Sequence, residues 1–156
     1  MDASQFMSWI AAGEKNFPGI CLHGVNLSGV NLSQLNLTRA DLSCADLSGA
    51  NLSGTDLSQA NLTDADLNEA DLRSTNLSQV NLIGASLIDA NLGRANLTRA
   101  DLRSANLTNA DLIGAILTDV ELSGADLTNA NINEAELNQA MCHVGVSHNW
   151  VSWSGE

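Results

Sequence analysis

The chain has no tyrosine, a single proline, a single lysine and only five aromatic residues in 156 positions. A core built on aromatic packing is therefore excluded, and leucine and alanine must fill the interior. Basic residues are scarce: six Lys and Arg face 18 acidic residues, for a net charge of -12. Binding to a nucleic-acid backbone needs clustered Lys and Arg, so no direct nucleic-acid partner is expected. The acidity suits solubility, or a protein partner with a basic surface. No segment approaches the roughly 20 apolar residues that span a bilayer, so no membrane association is expected. Residues 1–17 lack a basic region ahead of an apolar run, so no secretory leader is expected either. Cysteine is rare and odd in number, with Cys21, Cys44 and Cys142 at unrelated spacings. That pattern is no disulfide framework, and a cytoplasmic location is the expectation.

What the sequence does have is a period. Leucine stands at every fifth position from 22 to 137, broken only by Ile132, giving 24 hits with no insertion or deletion. Two residues before each hit is a small or apolar residue, Ala in 16 of the 24 cases. The position between them is Asn or Asp in 19 cases, and Ser or Thr commonly follows the leucine. The unit reads Ala-(Asp/Asn)-Leu-(Ser/Thr)-X, as in Ala40-Asp41-Leu42-Ser43-Cys44.

A step of five turns an α-helix by about 500°, so the leucines would drift around it and form no stripe. A straight strand fails as well, because an odd period sends alternate leucines to opposite faces. The pattern is satisfied if the chain bends once per pentapeptide. Ala and Leu then point inward from a short extended segment while the other residues turn a corner in water. Eight of the 12 glycines (19, 24, 29, 49, 54, 84, 114, 124) fall at the second position after the central residue, where a corner needs a permissive backbone. Bending always in one sense coils the chain into a solenoid, with successive coils about 4.8 Å apart. Spacing alone leaves three, four or five pentapeptides per coil open.

The unit resembles the pentapeptide-repeat family, especially its loop-free cyanobacterial members, over about residues 15–144. That resemblance implies an all-β fold, a right-handed quadrilateral β-helix (β-solenoid) with four pentapeptides per coil. The 24 repeats would then make about six coils.

An open solenoid needs its ends covered. Residues 2–12 read as a short helix with Asp2 or Ser4 as N-cap and Gly13 near its end. Phe6, Trp9 and Ile10 would form its apolar face, and Phe17 sits in a degenerate first repeat. The expected organisation is a capping helix over 1–14, the β-helix over 15–144 and a C-terminal tail or cap over 145–156. Trp150 and Trp153 in that tail are candidate cap contacts. They are also candidates for a homodimer contact, since members of the family often pair through their C-terminal ends.

Chemistry is sparse. Eight of the 16 serines hold the repeat slot after leucine on a convex surface, where a nucleophile has no cleft. No glycine-rich phosphate loop of the usual spacing is present. Cys142, His143 and His148 lack a recognisable metal-ligand spacing. No catalytic, cofactor or metal site is expected, and no enzymatic activity.

The surface is zoned along the axis. Seven acids and no base lie between Asp41 and Asp71, four arginines between Arg73 and Arg103, and six acids with no base between Asp111 and Glu136. Isoleucines interrupt the pattern near the arginines: Ile83, Ile88 and Ile113 take the slot after leucine, and Ile116 replaces Asn or Asp. At 20 residues per coil, the count the resemblance supplies, Arg73, Gly93 and Ile113 share a column, with Arg94, Arg99 and Ile116 beside it. Exposed isoleucine next to arginine is contact chemistry. These five, Arg73, Arg94, Arg99, Ile113 and Ile116, are the candidate contacts for an as yet unknown protein partner. The function expected is a non-enzymatic interaction module. The alternative is an acidic DNA mimic, because some members of the family resemble duplex DNA in charge and bind type II topoisomerases.

Overall fold

The pentapeptides close their corners in one way, with the Leu32 corner the exception. The N–H three residues beyond a central leucine donates back to that leucine's carbonyl, as from Ala40 to Leu37 at 3.0 Å. Within that turn only the second residue after leucine carries a positive φ, the type II pattern. The eight corner glycines adopt it with φ between 63° and 78°. So do 15 residues that are not glycine, Arg39, Asp64, Arg94 and Arg99 among them, with φ between 56° and 62°. The left-handed corner is thus a demand of the repeat, and glycine only meets it more cheaply.

The polar slots of the repeat explain why the corner holds. The Asn or Asp before the leucine commonly turns its Oδ1 onto the N–H two residues ahead and, at most positions where Ser or Thr follows, accepts that hydroxyl as well. Asp46 accepts the Ser48 N–H at 3.0 Å and its hydroxyl at 2.6 Å. Thr98 donates to Asn96 in the same manner, at 3.0 and 2.6 Å. A short side chain with an acceptor at the tip is the piece that fits this bond.

The computed structural model describes residues 1–144. Parallel pairing joins residues 20 apart throughout, from Asn16 with Asn36 to Asp111 with Asn131. One circuit is therefore four pentapeptides. Each interior coil is bonded on both sides: the Leu72 N–H reaches Asn91 O at 2.7 Å, and the Asp71 N–H reaches Ala50 O at 2.9 Å. Leucines stack on leucines inside. Every central leucine from Leu22 to Leu127 is at most 4% exposed, and the alanines two residues earlier are equally buried.

Two buried polar residues, Thr55 and Thr75, take the alanine slot in adjacent coils. Thr55 Oγ1 donates to Leu32 O at 2.6 Å, and Thr75 Oγ1 to Leu52 O at 2.9 Å. Leu52 O also receives the Thr55 N–H at 3.1 Å, whereas Leu32 O has no second donor among the described residues. Thr55→Val is therefore expected to cost about 1–3 kcal/mol and Thr75→Val less than about 1 kcal/mol, since only the first strands a buried carbonyl. Urea midpoints of the two variants test this; equal costs would remove the distinction.

At the N-terminal end, α1 (Ala3–Ala11) is capped by Asp2, whose carboxylate accepts the Gln5 N–H at 2.8 Å. Phe6 is fully buried and meets the Phe17 ring edge-on, with centroids 4.9 Å apart. Trp9, expected on the same apolar face, stacks on Phe17 with centroids 6.2 Å apart and stays 39% exposed. Glu14 follows the helix and accepts the N–H groups of Lys15 and Asn16, both at 2.9 Å, closing one edge of the first coil.

The other end corrects the expected span. The ladder stops at Asn131, and Glu134–Val144 forms a helix, α2, where the period predicts β-helix to 144. The reason is local. No Ser, Thr or Gly occurs from 134 to 144, and Glu, Ala, Leu and Gln favour helix. Asn133 and Glu136 form a capping box: Asn133 Oδ1 accepts the Glu136 N–H at 2.8 Å, and Glu136 Oε2 faces the Asn133 N–H at 3.4 Å. Asn133 O then serves the helix by accepting the Leu137 N–H at 3.1 Å. Glu136 Oε1 takes the Gly114 N–H, one coil back, at 2.7 Å. Leu137 and Ala140 remain buried, now as an i, i+3 pair on a helix. Trp150 and Trp153, the candidate cap and homodimer contacts, lie outside the described residues.

Candidate interaction face

The register of 20 sorts the surface into four faces, each carried by one column of leucines. Arg73 and Arg94 lie on the face of Leu52, Leu72, Leu92 and Leu112, together with Ile113. Arg99 and Ile116 lie on the next face, and Arg103 on a third. The fourth, carried by Leu47, Leu67 and Leu87, holds Asp46, Asp66, Glu69, Asp89 and Asp126 and no Lys or Arg. The arginines therefore do not circle the rod as an axial belt; an acidic face interrupts them. Sequence order hides this, because zones along the chain mix all four faces.

Three of the five candidate residues converge. Arg73, Arg94 and Ile113 line a shallow open groove of about 490 Å³ with Gly93 at its floor. The groove exists because glycine takes slots that elsewhere carry side chains. The Arg73 stem lies over Gly93, its Cγ 3.8 Å from where a Cβ would stand, and the Arg94 stem lies over Gly114 at 3.2 Å. The Arg94 N–H donates to Ile113 O at 3.1 Å, so the two side chains stand on adjoining coils. Ile113 is 44% exposed and Ile116 46%, whereas Ile83 and Ile88 are half-buried. Ile116 pairs with Asn96 one coil back, around the corner from the groove.

The arginines differ in state. Arg73 grips Asp71 with two bonds, Nε to Oδ1 at 2.8 Å and Nη2 to Oδ2 at 2.6 Å. That guanidinium holds the Asp71 carboxyl below the usual carboxylate range, and Arg103 does the same to Asp101. Arg99 lies 3.9 Å from Asp119. Arg39 donates to Gln59 at 3.1 Å. Arg94 is exposed, and its guanidinium has no ion pair among the described residues.

One polar chain escapes sequence reasoning, because its members are 20 residues apart. His23 Nδ1 lies 2.8 Å from Ser43 Oγ, which donates to Asp41 at 2.6 Å. The hydroxyl proton goes to the carboxylate, the stronger acceptor, so the histidine does not stand as a base for this serine. The bond lowers the Asp41 pKa, first through the Ser43 hydroxyl and then its N–H. It is the ordinary Asp-to-Ser corner bond with a histidine attached.

A family model for pentapeptide repeats, in 8 copies, matches residues 20–59, 40–79, 81–119 and 105–140. The chain belongs to the pentapeptide-repeat family. Among solved structures it is similar to Rfr23, a pentapeptide repeat protein from the cyanobacterium Cyanothece 51142. The two share 32% identity over 78% of this chain and 92% of that one, with a TM-score of 0.64. HetL, from the cyanobacterium Nostoc sp. strain PCC 7120 and involved in heterocyst differentiation regulation, is 34% identical over 84% of this chain and 72% of its own, with a TM-score of 0.34. A pentapeptide repeat protein of the Arabidopsis thaliana thylakoid lumen is 34% identical over 78% and 77%, with a TM-score of 0.33. No curated protein matches the chain. Among the described residues no helix is long and apolar enough to cross a membrane.

Proposed function

We propose that the protein is a non-enzymatic interaction module: a rigid right-handed quadrilateral rod of about six coils that presents a protein-docking face around Gly93. The observation that carries this reading is the convergence of an unpaired arginine, an exposed isoleucine and a glycine-floored groove on one flat face. A rod whose interior coils are pinned on both sides holds such a face with little loss of freedom on binding, which favours affinity. The free, exposed thiols of Cys21 and Cys44 suit the reducing cytoplasm as its compartment.

Two variants test the reading by pull-down from the source cells. Arg94→Glu/Ile113→Asp reverses the charge and wets the apolar contact. Gly93→Thr fills the groove with the residue type the repeat uses in that slot, where it would bond Asn91 as Thr98 bonds Asn96. Both are expected to fold, and Gly93→Thr to gain about 0.4–1 kcal/mol from removal of a glycine. A partner retained by the wild type and lost by both variants is the expected result. The same partners with all three proteins would overturn the reading.

A second reading, an acidic DNA mimic acting on a DNA-binding protein such as a type II topoisomerase, draws support from the base-free face that bears Asp46, Asp66, Glu69 and Asp89. Protection of DNA supercoiling from a topoisomerase inhibitor, lost when these four become Asn or Gln, would favour it over the groove.

A further inference from the structure

We propose that the N-terminal end of the rod pairs with the same end of a second copy of this chain, α1 against α1 across a twofold axis. The surface is separate from the docking groove, and the charge distribution points to it. Residues 1–40 hold two acids, Asp2 and Glu14, two bases, Lys15 and Arg39, and one histidine, His23. Residues 41–156 hold the other 16 acids against four arginines, so the whole net charge of -12 lies beyond residue 40. Two such rods repel each other along most of their length, and least at this end. The C-terminal end, which the family resemblance favours for pairing, has six acids and no base between Asp111 and Glu136, and a second copy would oppose the same six to them.

The neutral end also carries uncovered apolar surface. Residues 3–13 contain no charged side chain, although a surface helix ordinarily carries charge on its outer face. Phe6, Met7 and Ile10 pack inward, and the exposed face of α1 is Ser4, Gln5, Ser8, Ala11 and Ala12, none of which would leave a charge buried beneath a second helix. Met1 at one end is 52% exposed, and Trp9 towards the other is 39% exposed. Beside Trp9 lies a hollow of about 510 Å³ lined by Ala12, Gly13, Glu14, Asn16 and Phe17. A second copy is singled out because the projecting side chain and the hollow sit at opposite ends of one helix. At 1.5 Å per residue, Met1 and Gly13 are roughly 18 Å apart. Two antiparallel α1 helices, with the axis near Ser8, set each Met1 over its partner's hollow, and the contact is made twice. Antiparallel helices also oppose dipole ends of unlike sign. Each Asp2 then comes within reach of its partner's Lys15, whose ammonium has no ion pair among the described residues. Glu14, the other carboxylate there, is turned onto the Lys15 and Asn16 N–H groups of its own chain. A dimer joined here leaves the face around Gly93 free in both copies.

The test is the mass of the full chain by light scattering and sedimentation velocity, over concentrations from about 1 μM to about 1 mM. The expected species is a dimer that dissociates on dilution. Ser8→Glu, which sets two like charges at the axis, is expected to weaken it at least about tenfold, and so is Ala11→Glu on the same face, both with unchanged circular dichroism. Asn138→Glu, exposed on α2 at the far end, should leave it intact. A monomer at every concentration overturns the proposal and leaves Trp9 and its hollow to another occupant. A dimer that Ser8→Glu and Ala11→Glu do not weaken, or that Asn138→Glu dissolves instead, overturns it as well, because either places the interface elsewhere on the rod.

Discussion

Deleting the five residues Ala100–Ser104 is expected to leave a folded rod, whereas deleting Ser104 alone is expected to melt its C-terminal coils. The five-residue deletion removes one whole repeat and keeps a leucine at every fifth position, so each remaining corner still closes. Its cost is about one buried leucine and one alanine, roughly 1–3 kcal/mol. The one-residue deletion moves every later side chain by one slot. Leu107, Leu112, Leu117, Leu122, Leu127 and Ile132, all buried, would take the outward Asn/Asp slot, and Asn and Thr would turn inward. Keeping the ladder to the preceding coil would then cost of order 1.5–3 kcal/mol for each of these six side chains. The chain avoids this only by giving up pairing after residue 104. Far-UV circular dichroism and amide exchange over 105–131 distinguish the two variants. Equal loss of signal in both would show that the 20-residue register does not hold the rod together. The pentapeptide deletion also separates fold from site: Ile113 would stack on Ile88 instead of Gly93, so the groove and its binding should vanish from a folded protein.

Much of the fold was legible because the repeat contains its own geometry. A period of five with inward residues two apart has one solution, a bend per pentapeptide, and glycine marked the corner. Spacing did not fix the number of pentapeptides per coil, which the 20-residue register shows to be four, and two further features were not legible. The left-handed corner at Arg39, Asp64 or Arg94 leaves no mark in composition, since the Asx bond and the ladder outweigh the steric cost of a Cβ there. The switch to α2 was hidden because Leu137 fits both schemes: it is the next leucine in the period and also the inward residue of a helix capped by Asn133. The capping pair, Asn133 with Glu136, was readable, but an unbroken period spoke against it. At the candidate site, column arithmetic placed Arg73, Gly93 and Ile113 together. It could not show that Arg73 is consumed by Asp71 while Arg94 is not, because Asp and Arg two slots apart face each other only after the chain has bent.

The second large effect expected is from Leu72→Ala, at about 3–5 kcal/mol, near the upper end for a buried leucine. Leu72 is fully buried, and the register stacks it between Leu52 and Leu92. The size of such a loss depends on how far the surroundings can close the gap. Here they can close it little. The backbone on either side is fixed by the bonds from Leu72 to Asn91 and from Asp71 to Ala50, at 2.7 and 2.9 Å, and its neighbours are pinned in the same way. Leu72→Met keeps the volume and should cost less than about 1.5 kcal/mol. Leu137→Ala offers the contrast, since Leu137 rests on a helix rather than on a ladder and α2 can shift to fill the space. Its cost is expected near the lower end, about 2 kcal/mol. Urea titration of the three variants, followed by circular dichroism, checks the order. A loss for Leu72→Ala no greater than that for Leu137→Ala would mean that the tube collapses around a missing side chain, and that the coil ladder is far softer than its hydrogen bonds imply.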